Sequence, residues 1–293
     1  SIPTNGNILL DYTAGDALDG TGTCNIAAGL NALGAATSGD DNVAIGQLAL
    51  GAGVTTGAAN IAIGKNAADA LTSGTCNIAI GLNSLGAATN NADNVAIGRA
   101  VLASSDGDGN NNVAIGKNTM GAADVSGNDN IAMGTAALGS LTSGACNIAM
   151  GENALGVATD NCDNIAIGQS ALAASVNDGD NNIAIGKSAM GVGDVSGGHN
   201  IALGNDAGSG ITTGAINIAI GCGAMQHGTV TGNENIIMGF DAGDALTSGA
   251  CNIGIGHNAM GALTEATASI AIGEDAMGAA TTSYCSVAIG HNT

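Results

Sequence analysis

Hydrophobic and polar positions repeat along this chain with a fixed period. The unit is Asn-Ile-Ala-Ile-Gly, two variable residues, Ala-Leu or Ala-Met, often Gly, then a polar stretch. Its glycine recurs sixteen times, from Gly29 and Gly46 through Gly64, Gly81, Gly98 and Gly116 to Gly290, and successive differences are all 17 or 18. Asn7-Ile8-Leu9-Leu10 reads as a degenerate first coil. Within the unit, large residues alternate with Ala, the period of a strand. Ile61 and Ile63 are therefore expected on one face and Ala62 on the other. Ala67-Ala68 and Ala154-Leu155 look like a second short strand. A helix is disfavoured, because a Gly in its interior costs roughly 1 kcal/mol.

Such a pattern predicts an all-β parallel β-solenoid of about 17 coils, occupying residues 1–293 as one continuous repeat domain. No coil can bury its Ile pair alone, and stacking coils makes the core continuous. At the interstrand spacing of ~4.8 Å the stack would reach ~80 Å. The Ile/Val column is expected inside, with a Leu/Met column at Leu33, Leu85, Met120, Leu155, Met190 and Met260. The Ala between each Ile pair would then form a flat outward seam for neighbouring chains. Asparagines form a third column, including Asn60, Asn77, Asn94, Asn112, Asn130, Asn147, Asn164 and Asn182, with Ser269 and Ser286 replacing them last. A stacked amide donates and accepts along the axis. The anchor glycines Gly64, Gly81, Gly98 and Gly116 mark positions needing φ > 0 or the close approach of another chain. A longer period runs from Gly64 to Gly134 and again from Gly134 to Gly204, which points to duplication of a four-coil block.

Composition removes several alternatives. With 50 Gly, 2 Tyr, 1 Phe and no Trp, the chain lacks the aromatics that dominate ordinary cores, yet 45% of it is hydrophobic. That fraction argues against disorder. The net charge of -20 opposes binding to nucleic acid and to anionic membranes. No apolar run is long enough to span a bilayer. A start without a leader and an end inside a repeat read as a segment of a longer fibre protein.

The repeats resemble the head repeats of trimeric autotransporter adhesins and related repeats of phage and marine-virus tail fibres. Their shared core is Asn-x-Ala-Ile/Val-Gly-x-x-Ala/Ser-Leu, often after Thr-Thr-Gly. Here it stands as Thr212-Thr213-Gly214-Ala215-Ile216-Asn217-Ile218-Ala219-Ile220-Gly221. The resemblance implies a left-handed β-roll, three chains side by side, and a fibre stalk or head on a cell or virion surface. The coil length of 17 or 18 is closer to tail-fibre repeats.

Candidate chemistry is sparse. Asp106-Gly107-Asp108-Gly109-Asn110 and Asn177-Asp178-Gly179-Asp180-Asn181 place alternate oxygens as a calcium ion would need, with Asp106, Asp108, Asp178 and Asp180 as ligands. Tight turns use the same residues, and no other cofactor is implied. Five of seven Cys sit five residues before an anchor Gly, and only Cys146 and Cys162 fall in adjacent coils. Small buried hydrophobes are the simplest reading of the Cys. Four scattered His and the sameness of the coils give no catalytic constellation, so an enzyme is not expected. With three aromatics, receptor binding would belong to regions outside the segment. The expected partner is the chain itself, as a homotrimer or in a fibre. Two other readings remain open: a self-assembling extracellular filament or sheath subunit, and an ice-binding solenoid using Thr55-Thr56, Thr72-Ser73, Thr142-Ser143 and Thr212-Thr213.

Overall fold

The structure is a computed structural model describing residues 5–18, 20–106, 109–176 and 179–293. Each repeat contributes one short strand, because only the Ile-Ala-Ile triplet lies between residues that must turn. Two compact units form, Ser1–Cys146 and Asn147–Thr293. The first holds β1 (Ile8–Leu9), β2 (Ile26–Ala28), β3 (Val43–Ile45), β4 (Ile61–Ile63), β5 (Ile78–Ile80), β6 (Val95–Ile97), β7 (Val113–Ile115) and β8 (Ile131–Met133). The second holds β9 (Ile148–Met150), β10 (Ile165–Ile167), β11 (Ile183–Ile185), β12 (Ile201–Leu203), β13 (Ile218–Ile220), β14 (Ile236–Met238), β15 (Ile253–Ile255), β16 (Ile270–Ile272) and β17 (Val287–Ile289).

Within each unit every strand pairs in parallel with the strand of the next coil. Equivalent residues face each other: Ile61 with Ile78, Ala62 with Ala79, Ile63 with Ile80. The second unit repeats this, as in Ile183 with Ile201 and Ala184 with Ala202. The fold is thus an all-β parallel β-solenoid, and no helix occurs among the described residues.

The inside and the outside are reversed from the sequence expectation. Ala62, Ala79, Ala96 and Ala114 are fully buried. Their flanking Ile and Val residues point outward and are half-buried to exposed, with Ile45 41% and Ile185 39% exposed. The reason is volume. So short a coil closes a narrow lumen, which must also admit one Leu or Met from the opposite corner. A methyl group is what fits at the strand centre when the next coil also carries one there, and overpacking such a core would cost about 1–3 kcal/mol. The core is therefore an Ala column against a Leu/Met column, and Leu33, Leu85, Met120, Leu155, Met190 and Met260 are all fully buried.

The second strand expected at Ala67-Ala68 and Ala154-Leu155 is absent. Ala68 has φ 49 and Leu155 φ 48, so the backbone there is left-handed and cannot extend. One coil shows the plan: Gly81 (φ 129), Asn83 (φ 55), Leu85 (φ 50) and Asp93 (φ 57) make its corners. A left-handed non-glycine residue costs about 1–2 kcal/mol. Asn and Asp tolerate the conformation. Leu85 holds it through full burial and a bond from its N–H to the Val101 carbonyl at 2.9 Å. The anchor glycines have the positive φ anticipated for them, and the backbone that comes close to them is the next coil of the same chain. Gly46 has φ 126, and a Cβ there would sit 2.7 Å from the carbonyl oxygen of Gly64 in the next coil.

Candidate functional site

Three repeating features could carry function: the asparagine column, the corners of the coils and the outward strand face.

The asparagine column is buried throughout. Each Oδ1 accepts the backbone N–H of the next asparagine, as from Asn60 to Asn42 (2.9 Å), Asn77 to Asn60 (3.0 Å), Asn94 to Asn77 (3.1 Å) and Asn112 to Asn94 (2.9 Å). The Nδ2 donates to a carbonyl three residues before the next coil's asparagine, Gly74 from Asn60, Asn91 from Asn77, Gly109 from Asn94 and Gly127 from Asn112, whereas that of Asn164 donates to Cys162 in its own coil. Asn130 donates likewise to Gly144. The second unit repeats the scheme from Asn147 to Asn161, Asn164 N–H to Asn147, and Asn182 to Gly197. Buried amide and carbonyl groups left unpaired would each cost about 1–3 kcal/mol. The column is thus structural: it closes each coil and fixes it to its neighbour.

At the corners, aspartates cap backbone donors of the preceding coil. The Asp40 carboxylate accepts the Thr23 N–H at 2.7 Å, Asp69 the Ala52 N–H at 3.1 Å, and Asp180 the Cys162 N–H at 2.7 Å. Asp106 accepts the Thr89 hydroxyl at 3.0 Å. Two of the proposed calcium ligands, Asp106 and Asp180, therefore already serve the chain's own donors, while Asp108 and Asp178 lie outside the described residues.

The cysteines are not buried hydrophobes, which corrects the sequence reading. Cys24, Cys76, Cys222, Cys251 and Cys285 are free and exposed; Cys146 is exposed and Cys162 half-buried. The five that share one position of the repeat occupy left-handed corners, from Cys24 (φ 58) to Cys285 (φ 50), with their side chains outside the lumen. Desolvation, followed by the charge and hydrogen bond of Glu234, raises the Cys251 thiol above its usual range.

Threonine hydroxyls at the polar corner are largely turned to the neighbouring coil. Thr72 donates to the Thr89 carbonyl (2.9 Å), Thr247 to Thr264 (3.0 Å) and Thr264 to Thr281 (3.1 Å), while Thr55 is fully buried.

The histidines were not expected to associate. His257 Nδ1 lies 3.5 Å from Glu274, and His291 Nε2 lies 3.9 Å from the other oxygen of the same carboxylate. All three residues directly follow an anchor glycine, a shared position that alignment of the repeats makes visible. His227 pairs with Asp244 at 2.6 Å, and this bond raises the His227 pKa.

The outward strand face is the largest unsatisfied feature. In each unit the two outer residues of the three-residue strands form a double column of Ile, Val, Met and Leu, broken at Ala28 in β2. Ile131 and Met133 are 39% and 37% exposed, Ile255 and Ile272 both 37%. Among the described residues no helix is long and apolar enough to cross a membrane. Comparison of the sequence with protein families and with curated proteins finds no match.

Proposed function

We propose that the protein is a structural shaft element of an extracellular fibre, in which copies of the chain pack side by side through the outward Ile/Val/Met columns. The repeat resemblance supplies the setting, a phage or virus tail fibre or a cell-surface adhesin, together with a threefold, left-handed arrangement. The observation that carries the reading is the reversal of Ala and Ile. The lumen is filled by the strand-centre Ala and the corner Leu and Met, so the regular outward placement of the flanking Ile and Val serves something beyond the chain's own core. Single exposed aliphatic residues are ordinary on a monomer, but a contiguous apolar column marks an interaction surface. The asparagine column, corner caps and axial threonine bonds are all devices for stacking coils. No group in this reading performs catalysis, and no cofactor is required.

Light scattering coupled to size exclusion tests it. The expected mass is three times 27.6 kDa. Ile63→Asp with Ile97→Asp should return the mass to one chain while far-ultraviolet circular dichroism is unchanged. A wild-type chain that stays at 27.6 kDa overturns the proposal. Mass that climbs with concentration without a plateau would instead favour the end-to-end filament.

A further inference from the structure

The first unit's apolar face is bordered by opposite charges on its two sides. The whole chain has four Lys and Arg. All four, Lys65, Arg99, Lys117 and Lys187, occupy one position of the repeat, immediately after the anchor glycine. Three of them lie in the first unit, and all are exposed. Backbone bonds keep this edge in register: Asn83 N–H to the Lys65 carbonyl (3.1 Å), Asn118 to Arg99 (3.0 Å) and Ala136 to Lys117 (2.9 Å).

Beyond the opposite end of each outward strand, five residues before the glycine, lies a second column. In the first unit that position holds Asp41, Asp93 and Asp129, all exposed and left-handed. They too are held in a column, by bonds such as Asp93 N–H to the Thr75 carbonyl (3.0 Å) and Asp129 N–H to Asn110 (3.2 Å). Asp93 and Arg99 bracket the same strand, β6. Every ion pair recorded among the described residues involves a histidine, so these cations and carboxylates are not spent on each other within the chain.

The two edges constrain how a second copy can lie on the face. A copy related by rotation about an axis along the coil stack brings its acidic edge to the first copy's basic edge. A copy reversed end to end, about an axis across the face, sets basic edge against basic edge. Complementary charge fixes register and rejects wrong partners more than it adds raw affinity. We infer that the partner on this face is a second copy of the chain running in the same direction, with Lys65, Arg99 and Lys117 of one copy facing Asp41, Asp93 and Asp129 of its neighbour. This rests on the side-by-side reading above, whose threefold form already has the chains running the same way, and adds to it which charged edge meets which. In the second unit Lys187 and Asp163 keep the two positions, but Glu152 and Glu274 also stand on the basic edge, so the inference concerns the first unit.

Charge reversal on the full chain tests it, read as the concentration at which the assembly dissociates. Reversing the basic edge (Lys65→Glu, Arg99→Glu, Lys117→Glu) should raise that concentration at least ten-fold in low salt. Reversing the acidic edge (Asp41→Lys, Asp93→Lys, Asp129→Lys) should do the same, although it moves the net charge from -20 to -14 and so relieves general repulsion. Combining all six should restore the wild-type value to within about three-fold. The glutamine and asparagine versions of the same positions, which disturb folding less, should give intermediate loss. A wild-type assembly indifferent to either single-edge reversal overturns the pairing but leaves the side-by-side fibre standing. Six combined substitutions weaker than either three overturns the parallel direction. A wild type that never assembles overturns both.

Discussion

Ile237 and Gly254 offer a test of the volume argument at single-residue scale. At the centre of β14 the usual Ala is replaced by Ile237, fully buried in the lumen. In the next coil the centre of β15 is Gly254, which pairs with Ile237. A Cβ on Gly254 would lie 3.0 Å from Ile237 Cδ1 and 3.3 Å from Met260 Sδ. The extra volume of one coil thus occupies the space vacated by the next. Ile237→Ala should cost about 2–5 kcal/mol, the range for truncating a buried Ile. Gly254→Ala in the wild type combines an overpacking cost of about 1–3 kcal/mol with about 0.5–1 kcal/mol regained from lower backbone entropy; it should be mildly destabilising. In the Ile237→Ala background the same change rebuilds the Ala–Ala pair found elsewhere and should become stabilising. The coupling should be about 1–2 kcal/mol, within the range for residues in contact. Urea denaturation followed by circular dichroism gives the cycle. Hydrogen exchange at Ile253 and Ile255 locates it, because repeat arrays open locally. Equal effects of Gly254→Ala in both backgrounds would refute the claim that lumen volume decides which face is inside.

Two further outcomes are expected. Asn112→Ala removes the acceptor for the Asn130 N–H and the donor to the Gly127 carbonyl; with both groups buried the loss should be about 2–4 kcal/mol by urea denaturation, and Asn112→Ser should lose less, since Ser269 Oγ still accepts the Ser286 N–H at 3.4 Å. The hydrogen bond and charge of Asp244 raise the His227 pKa, so its NMR titration midpoint should lie above the ordinary His value and fall back in Asp244→Asn. The sign follows: the pair's stabilisation is full below about pH 6.5 and is lost as pH rises through the folded-state pKa.

Periodicity carried much of the architecture, because a solenoid writes its coil length directly into the spacing of Asn and Gly. The asparagine column and the glycine φ values could be read from residue chemistry alone: one side chain suited to axial bonding, one residue suited to a left-handed backbone. The orientation of the strand could not. Alternation assigns Ile61 and Ala62 to opposite faces without saying which faces inward, and the habit of placing large residues inside gave the wrong answer. Lumen width decided it, and lumen width depends on three-dimensional closure. The second strand failed for a related reason. Leu155 and Ala68 have good extended or helical alternatives, and only the burial of the closed coil holds them at φ near 50. The exposed Cys column and the two charged edges follow from the same geometry, since positions flanking the outward strand become visible as edges once its outer face is known.

Coils of 17 and 18 residues are mixed along the chain, yet the strands within each unit pair without slippage. The asparagine clamp explains why. In all but the Asn164 coil its Nδ2 reaches the carbonyl three residues ahead of the next asparagine, over a span of 14 residues from Asn60 and 15 from Asn94. The extra residue is confined to the polar loop before that carbonyl, and phase is reset at each turn. Length errors therefore do not accumulate, as they would in a helix where one inserted residue rotates everything downstream. A gene encoding such a chain can gain or lose whole coils, or single loop residues, and still specify a strand that starts in the right place.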